Sequence, residues 1–278
     1  MQVVSISSLK GGVGKTSVTL GLASAALAAG IPTLVVDLDP HADATTGLGV
    51  KPGDRIDIGR LLRNARRGDL PANVAPSGWV ASARQRNLPS SGAKPVLDVA
   101  VGSAYAGIYD RPDLGRRDLR RLTTLLSRVE GYGLVLIDCP PSLNGLTRMA
   151  WTASNRVLLV AEPALFSVAG TERTMRAIEL FKREFAPNLS TAGIVANRVR
   201  PNSNEHTFRL AEMRQMFGDL LLSPIITDQE NWQQIQGAAH SVHHWPGELA
   251  RQTSSYFDEL LRNVVDSGRL RSRVARRA

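Results

Sequence analysis

Seven residues, Lys10-Gly-Gly-Val-Gly-Lys-Thr16, constrain this chain more than any others in it. A β-rich run, Val3-Val-Ser-Ile-Ser7, leads into them. An Ala/Leu-rich stretch from Thr16 to Ala29 follows, closed by Gly30 and Pro32. Thr33 to Val36 is the next strand-like run and ends on Asp37. Strand, glycine turn, helix, strand is a βαβ unit. The glycines let the backbone curl and point its N–H groups inward, and the following helix adds its positive end. Such a loop receives phosphate oxygens. In that setting Lys15 reaches the β and γ phosphates of a nucleotide, and the Thr16 hydroxyl ligates Mg²⁺. Gly11, Gly12, Val13, Gly14, Lys15, Thr16 and Ser17 are therefore the candidate phosphate-binding set.

Further strand-like runs recur at Val96–Val101, Leu134–Ile137, Arg156–Ala161, Ala192–Ala196 and Pro224–Ile226. Helical patterns separate most of them. Thr171–Phe185 puts Met175, Ile178, Phe181 and Phe185 on one face, and Glu248–Val265 does the same with Leu249, Tyr256, Leu260 and Val264. Alternating strands and helices predict an α/β fold with a doubly wound, mostly parallel sheet. Residues 51–95, rich in Gly, Pro, Ser and Arg, read as a variable insertion with one short helical candidate at Ile58–Asn64. The expected organisation is one domain over 1–267 and a basic arm over 268–278.

Two strand-like runs close on a carboxylate, and a third carboxylate follows the first of them. Asp37 and Asp39 lie two apart, so in an extended segment they share a face. Both can point at a ligand from the C-terminal edge of a parallel sheet. Gly133-Leu-Val-Leu-Ile-Asp138 is an apolar strand ending in a carboxylate, the form of a Walker B element, which makes Asp138 a Mg²⁺ site. Asp43 reads as an N-cap for the turn after it. Cys139 reads as a small buried residue.

The common phosphate-loop pattern G-x-x-x-x-G-K-[ST] wants Gly at position 9, where this chain has Leu9, and a second lysine, Lys10, opens the loop instead. This form resembles the deviant Walker A motif of the ParA/Soj/MinD superfamily of P-loop ATPases. The likeness spans about residues 2–265 and is densest at 10–49 and 131–145. It implies ATP and Mg²⁺ as ligands and a homodimer that sandwiches two nucleotides, with Lys10 reaching the partner's phosphates. It implies that Asp39 orients the attacking water and that Asp37 helps hold the Mg²⁺ shell. Where the family usually reads D-x-D-P-Q, this chain has His41 in place of Gln. Asp138-Cys-Pro-Pro-Ser142 resembles the ParA branch in particular. Relatives use an Asn after the strand at 192–196 to hydrogen-bond the base, which implies base readout by Asn197 with Arg198 nearby. The alternative for Asn197 is an ordinary turn residue. Pro224 and Asp228 fall in the segment resembling the next base-side loop. The resemblance also implies slow hydrolysis stimulated by a ParB-like adaptor, and nonspecific binding of double-stranded DNA by the dimer.

Composition bears on that last implication. The chain of 278 residues carries a formal net charge of +9, and 29 of its 34 basic residues are Arg. Excess Arg suits phosphate, although GC-rich coding alone also produces it. The 17 residues from Arg262 hold six Arg against one Asp. Arg262, Arg269, Arg271, Arg273, Arg276 and Arg277 are thus the candidate DNA contacts; the other reading of this stretch is a solubilising arm. Arg116, Arg117, Arg120 and Arg121 fit a solvated helix face. A membrane-cycling MinD-type protein would carry a C-terminal amphipathic helix, but Leu270 and Val274 are the only sizeable apolar residues of the tail. A protein that positions cargo on the nucleoid would share every motif above. A nitrogenase-reductase-like carrier needs two Cys per subunit, and this chain has one. No apolar run long enough to span a bilayer and no export signal are seen, so a cytoplasmic, nucleoid-associated protein without a membrane partner is expected.

Overall fold

The computed structural model describes residues 1–51, 53, 55–80 and 95–265. Its strands are β1 (Gln2–Ser7), β2 (Thr33–Asp37), β3 (Ala75–Pro76), β4 (Leu97–Ala100), β5 (Leu134–Asp138), β6 (Arg156–Ala161) and β7 (Ser190–Ala196). They form one seven-stranded sheet in the order β3-β4-β2-β5-β1-β6-β7. Every pairing is parallel except that of β3 with β4. The expected doubly wound α/β fold is what is observed.

Helices cover both faces, which is why the strands are apolar on both sides. Helix α1 (Lys15–Ala28) packs on one face against the C-terminal helix Glu248–Val264. Val4, Ile6, Val18, Leu22, Leu136 and Phe257 meet there. Helix α2 (Asp43–Gly47) packs against α1 on that same face. The other face carries α3 (Ile58–Arg63), α4 (Leu70–Asn73), α5 (Arg116–Leu119), α6 (Arg121–Leu126), α7 (Gly145–Ala153) and α8 (Leu165–Glu184). Leu34, Val36, Leu62, Leu122, Ile137, Trp151 and Phe181 form the core beneath most of these. Each fully buried Leu or Ile contributes roughly 1.5–3 kcal/mol relative to exposure. Helices α9 (Asn204–Phe217), α10 (Trp232–Gly237) and α11 (Glu248–Val264) follow in the described residues.

Several sequence expectations are corrected. Pro224–Ile226 is not a strand: Pro224 has no N–H to give a ladder, and only isolated bridges, Ile194 with Leu221 and Val199 with Thr227, run along β7 there. The buried stripe of α11 is Ala250, Thr253, Phe257, Leu260, Leu261 and Val264, while Leu249 is exposed and Tyr256 only half-buried. The small Ala250 and polar Thr253 hide the true phase of that helix. Asp43 is the first residue of α2 rather than its cap; Ala42, in the left-handed region at φ 57°, takes that place. Helix α8 starts at Leu165, before the expected Thr171, with Thr171 and Thr174 folding their hydroxyls back onto the carbonyls of Ser167 and Gly170. The 51–95 stretch also does more than loop out. Ile58, Leu62 and Leu70 are fully buried, and the Trp79 indole donates to the Ala239 carbonyl at 2.8 Å. Residues 81–94 lie outside the described residues, as does the arm at 268–278.

Two glycines give opposite expectations. A Cβ on Gly145 would stand 2.1 Å from the Tyr109 carbonyl oxygen and 2.7 Å from that of Arg111, so backbone would have to move. A Cβ on Gly170, inside α8, would meet nothing within 4 Å. Gly145→Ala is expected to destabilise by roughly 1–3 kcal/mol and Gly170→Ala to stabilise by up to about 1 kcal/mol in thermal or urea denaturation. Equal effects would contradict this packing.

Candidate functional site

The parallel register levels the chemistry. Ile6 of β1 stands beside Asp138 of β5, and Asp37 of β2 stands on its other side. The chain leaves β1 at this edge and turns through the glycine loop into α1. Gly12 and Gly14 sit at φ +77° and +88°, in the left-handed region open to glycine at little cost. The N–H groups of Gly11 to Gly14 are not spent on protein acceptors among the described residues. A cleft of about 1140 Å³ opens over the loop, lined in part by Gly11, Gly12, Gly14, Lys15, Thr16 and Ser17.

Beneath the cleft, Asp138 is fully buried and accepts from the Thr16 hydroxyl at 2.8 Å and the Thr19 hydroxyl at 2.7 Å. Asp37, equally buried, takes the backbone N–H of Thr45 at 2.8 Å and its hydroxyl at 2.7 Å on one oxygen. Its other oxygen, Oδ1, has no hydrogen-bond partner among the described residues. Burial, aided by the neighbouring Asp138, pushes the Asp37 carboxyl up to about 7. Burial likewise pushes Asp138 up to about 6, against the hydrogen bonds from Thr19 and Thr16. Lys15 is lowered by burial and opposed by Asp138 and Asp39. The oxygens gathered here, one hydroxyl and two carboxylates with an unpartnered Oδ1, are the all-oxygen donor set that suits a hard divalent cation such as Mg²⁺.

Asp39 lines the cleft and accepts from His41 twice, at its backbone N–H (3.0 Å) and at ring Nδ1 (2.9 Å). That contact raises the His41 pKa and gives a place to the residue that departs from the family pattern. Cys139 is buried, its thiol pushed up to about 12 by burial, as expected of a packing residue.

Lys10 does not line the cleft. Its ammonium lies 3.8 Å from Glu162, which follows β6, and its side chain is 39% exposed. Val13 turns its side chain into the core, but its carbonyl accepts from the Asn197 amide at 2.8 Å. Arg198, at φ 56°, donates to the Gly12 carbonyl at 2.9 Å. Asp228 lines the cleft and holds Arg200 at 3.3 Å and Arg198 at 3.8 Å, while Pro224 is absent from the lining. The exposed Arg262 sits near the end of α11, and Arg269, Arg271, Arg273, Arg276 and Arg277 lie outside the described residues.

Sequence reasoning missed Thr19, Thr45, Glu162 and Gln236, the last of which donates to Ser17 at 2.9 Å. Thr19 had a signal, being one helical step from Thr16. The others meet their partners only through tertiary packing. A Ser24–His243–Asp258 chain, with contacts of 2.6 and 3.0 Å, has the order of a hydrolytic triad. Ser24 is 1% exposed inside α1, so no substrate reaches it.

Comparison with known proteins adds to the geometry. The profile of the CobQ/CobB/MinD/ParA nucleotide binding domain matches residues 4–238. The chromosome partitioning protein ParA of Caulobacter vibrioides is 32% identical over 230 residues, 81% of this chain and 80% of that protein. Among solved structures, an ATP complex of a substituted form of Cyanothece McdA superposes with a TM-score of 0.75 at 18% identity, covering 95% of this chain and 96% of that one. The septum site-determining protein MinD of Pyrococcus horikoshii, complexed with Mg-ADP, gives 0.73 at 21% identity, covering 96% and 97%.

The raised carboxyls carry a pH signature. Between about 4, where a free Asp titrates, and about 7, the folded protein holds protons that the unfolded chain has released. Their contribution to stability is therefore present at low pH and lost as pH rises through that window. Without nucleotide or divalent cation, wild type is expected to lose stability over it and Asp37→Asn to lose less, measured by denaturation at each pH in EDTA. Identical slopes would refute the assignment.

Proposed function

Because the chain belongs to the CobQ/CobB/MinD/ParA nucleotide-binding family, we propose that it is a partition ATPase. It binds Mg-ATP, pairs with a second copy around two nucleotides, and holds double-stranded DNA without regard to sequence while paired. A ParB-like adaptor stimulates its slow hydrolysis of ATP and so releases the pair from DNA at the nucleoid.

The observation that supports this reading most is the different placement of the two lysines. Lys15 is buried in the floor of the cleft, where it neutralises its own nucleotide. Lys10 stands outside the cleft, half-buried and, among the described residues, ion-paired with Glu162 alone, where a facing subunit can receive it. Charge compensation at each nucleotide then needs the neighbour, which couples nucleotide state to assembly. Thr16, Asp37 and Asp138 hold Mg²⁺, which when bound neutralises phosphate oxygens. Asp39 orients the attacking water, and phosphoryl transfer asks little more of the protein than such positioning and charge. Asn197 and Arg198 join the base end of the cleft to the phosphate loop through the carbonyls of Val13 and Gly12.

DNA is held through phosphates rather than bases, by Arg262 and the arginines beyond it. The domain is taken to end at 267 and the arm to begin at 268. No described helix is long and apolar enough to cross a membrane.

The deciding experiment is DNA retention with ATP, ADP and no nucleotide over a salt series. Retention with ATP alone, falling steeply with salt, is expected; equal retention in all three would refute the reading. Lys15→Ala is expected to abolish tight nucleotide binding. Asp39→Ala should keep ATP binding and pairing while turnover falls about 100-fold or more, read from phosphate release. Lys10→Ala should weaken pairing, measured by sedimentation, more than it weakens nucleotide binding. Equal loss of both would remove the cross-subunit role.

A further inference from the structure

A second concavity, sharing no lining residue with the nucleotide cleft, opens where the end of α3 meets α5 and α6. Its volume is about 530 Å³. Arg63, Arg66, Arg116, Arg117, Arg120 and Arg121 line it with three uncharged residues, and no carboxylate is among the lining. Two arginine stretches far apart in sequence are thus folded against one another.

Three of the six guanidinium groups are anchored. Arg121 is held by Asp118 at 2.6 Å, donates to the carbonyls of Leu62 (2.8 Å) and Arg63 (3.0 Å), and stands 5.6 Å over the Tyr109 ring. It ties α6 to α3 and its charge is already matched. Arg63 donates to the Tyr105 hydroxyl at 3.3 Å. Arg116 lies 4.9 Å over the Phe185 ring, with Glu184 at 3.7 Å on the rim. Arg66, Arg117 and Arg120 are exposed, and no carboxylate of the described residues lies within 4.0 Å of their nitrogens.

Like charges brought to one concave wall repel one another and focus a positive potential into it. A guanidinium matches phosphate with paired N–H donors, and several of them converging match several phosphates at once. The volume falls in the range of small-ligand sites, about 300–1,000 Å³. Duplex DNA is a wide rod with one charge per about 1.7 Å of axis, and it favours long, open contact surfaces over a short recess between three brief helices. The geometry points to this concavity as a binding site for a compact ligand with several adjacent phosphates, either a nucleoside polyphosphate or a short inorganic polyphosphate. The site is independent of the partition reading.

The test titrates the full chain, its nucleotide cleft filled by excess Mg-ADP and free Mg²⁺ kept in excess, with inorganic tripolyphosphate in a calorimeter. A second arm uses adenosine tetraphosphate. Saturable binding at one site per protomer is expected, weakened about tenfold or more in Arg117→Ala/Arg120→Ala. Tighter binding of the tetraphosphate assigns the site to nucleotides, and equal or weaker binding assigns it to the phosphate chain. The two side chains are exposed and form no ion pair among the described residues, so the double variant is expected to keep the wild-type Tm and ADP affinity. Should it fail to fold, Arg66→Ala is measured in its place, with the same loss expected. Absence of saturable binding to wild type, or unchanged affinity in the variants, overturns the proposal. So does a short DNA duplex that loses affinity in the variant yet is not displaced from wild type by tripolyphosphate, since that would make the surface a nucleic-acid contact.

Discussion

The candidate site depends on one buried carboxylate being satisfied by one helix. Asp138 ends a strand in the middle of the sheet, shut off from solvent, and its two oxygens are taken by Thr16 and Thr19 of α1. Leaving such a group unpaired would cost about 1–3 kcal/mol or more, so the two hydroxyls fix where α1 starts relative to β5. The position of the phosphate loop follows, since the loop spans the gap between β1 and that helix. The parallel register then sets Asp37 level with Asp138 on the far side. A slip of one residue in either pairing would turn a carboxylate into the core and replace it at the edge with an apolar side chain.

The same burial makes this edge of the sheet electrostatically unsettled. Asp37 and Asp138 are both pushed toward their neutral forms and Lys15 is lowered toward its own, each chiefly by loss of solvent. A polyanion on the loop favours the charged lysine, and a divalent cation favours the charged carboxylates. The two kinds of ligand therefore support each other's binding through groups that neither one fully satisfies alone. His41 extends this outward: its ring rests on Asp39, and its protonation strengthens that hold. Asp39 is thus partly engaged by its own neighbour.

How much of this is legible in the sequence depends on how local each signal is. The βαβ unit can be read because a strand, three glycines and a capped-off helix fall within consecutive residues. Asp37 and Asp138 can be read because each ends an apolar run in a parallel sheet, where that position faces the ligand edge. Their partners cannot. Thr45 reaches Asp37 only because α2 folds back over β2, and Glu162 reaches Lys10 only because β6 lies beside β1. The phase of α11 is hidden because its buried stripe is centred on Phe257 between small and polar residues, while a larger side chain, Leu249, faces solvent. The arginines at 116–121 read as a solvated face because nothing in the local sequence shows that α3 and the turn after it bring Arg63 and Arg66 opposite them.

The segment after β7 is joined directly to the phosphate loop. Asn197 and Arg198 follow β7, and between them they hold two successive carbonyls of the loop, Val13 and Gly12. Arg198 also shares Asp228 with Arg200, so the segment after residue 226 is tied to the same loop by charge. Gln236 of α10 reaches Ser17 in the first turn of α1. Displacing these segments would therefore pull on Gly12, Val13 and Ser17 together, in the glycine loop and the first turn of α1. Gly14 leaves little slack for such movement, since even a Cβ there would fall 2.3 Å from the Asn197 amide nitrogen. If Asn197 and Arg198 face the base as proposed, a base that fits there would help set the loop for the phosphates.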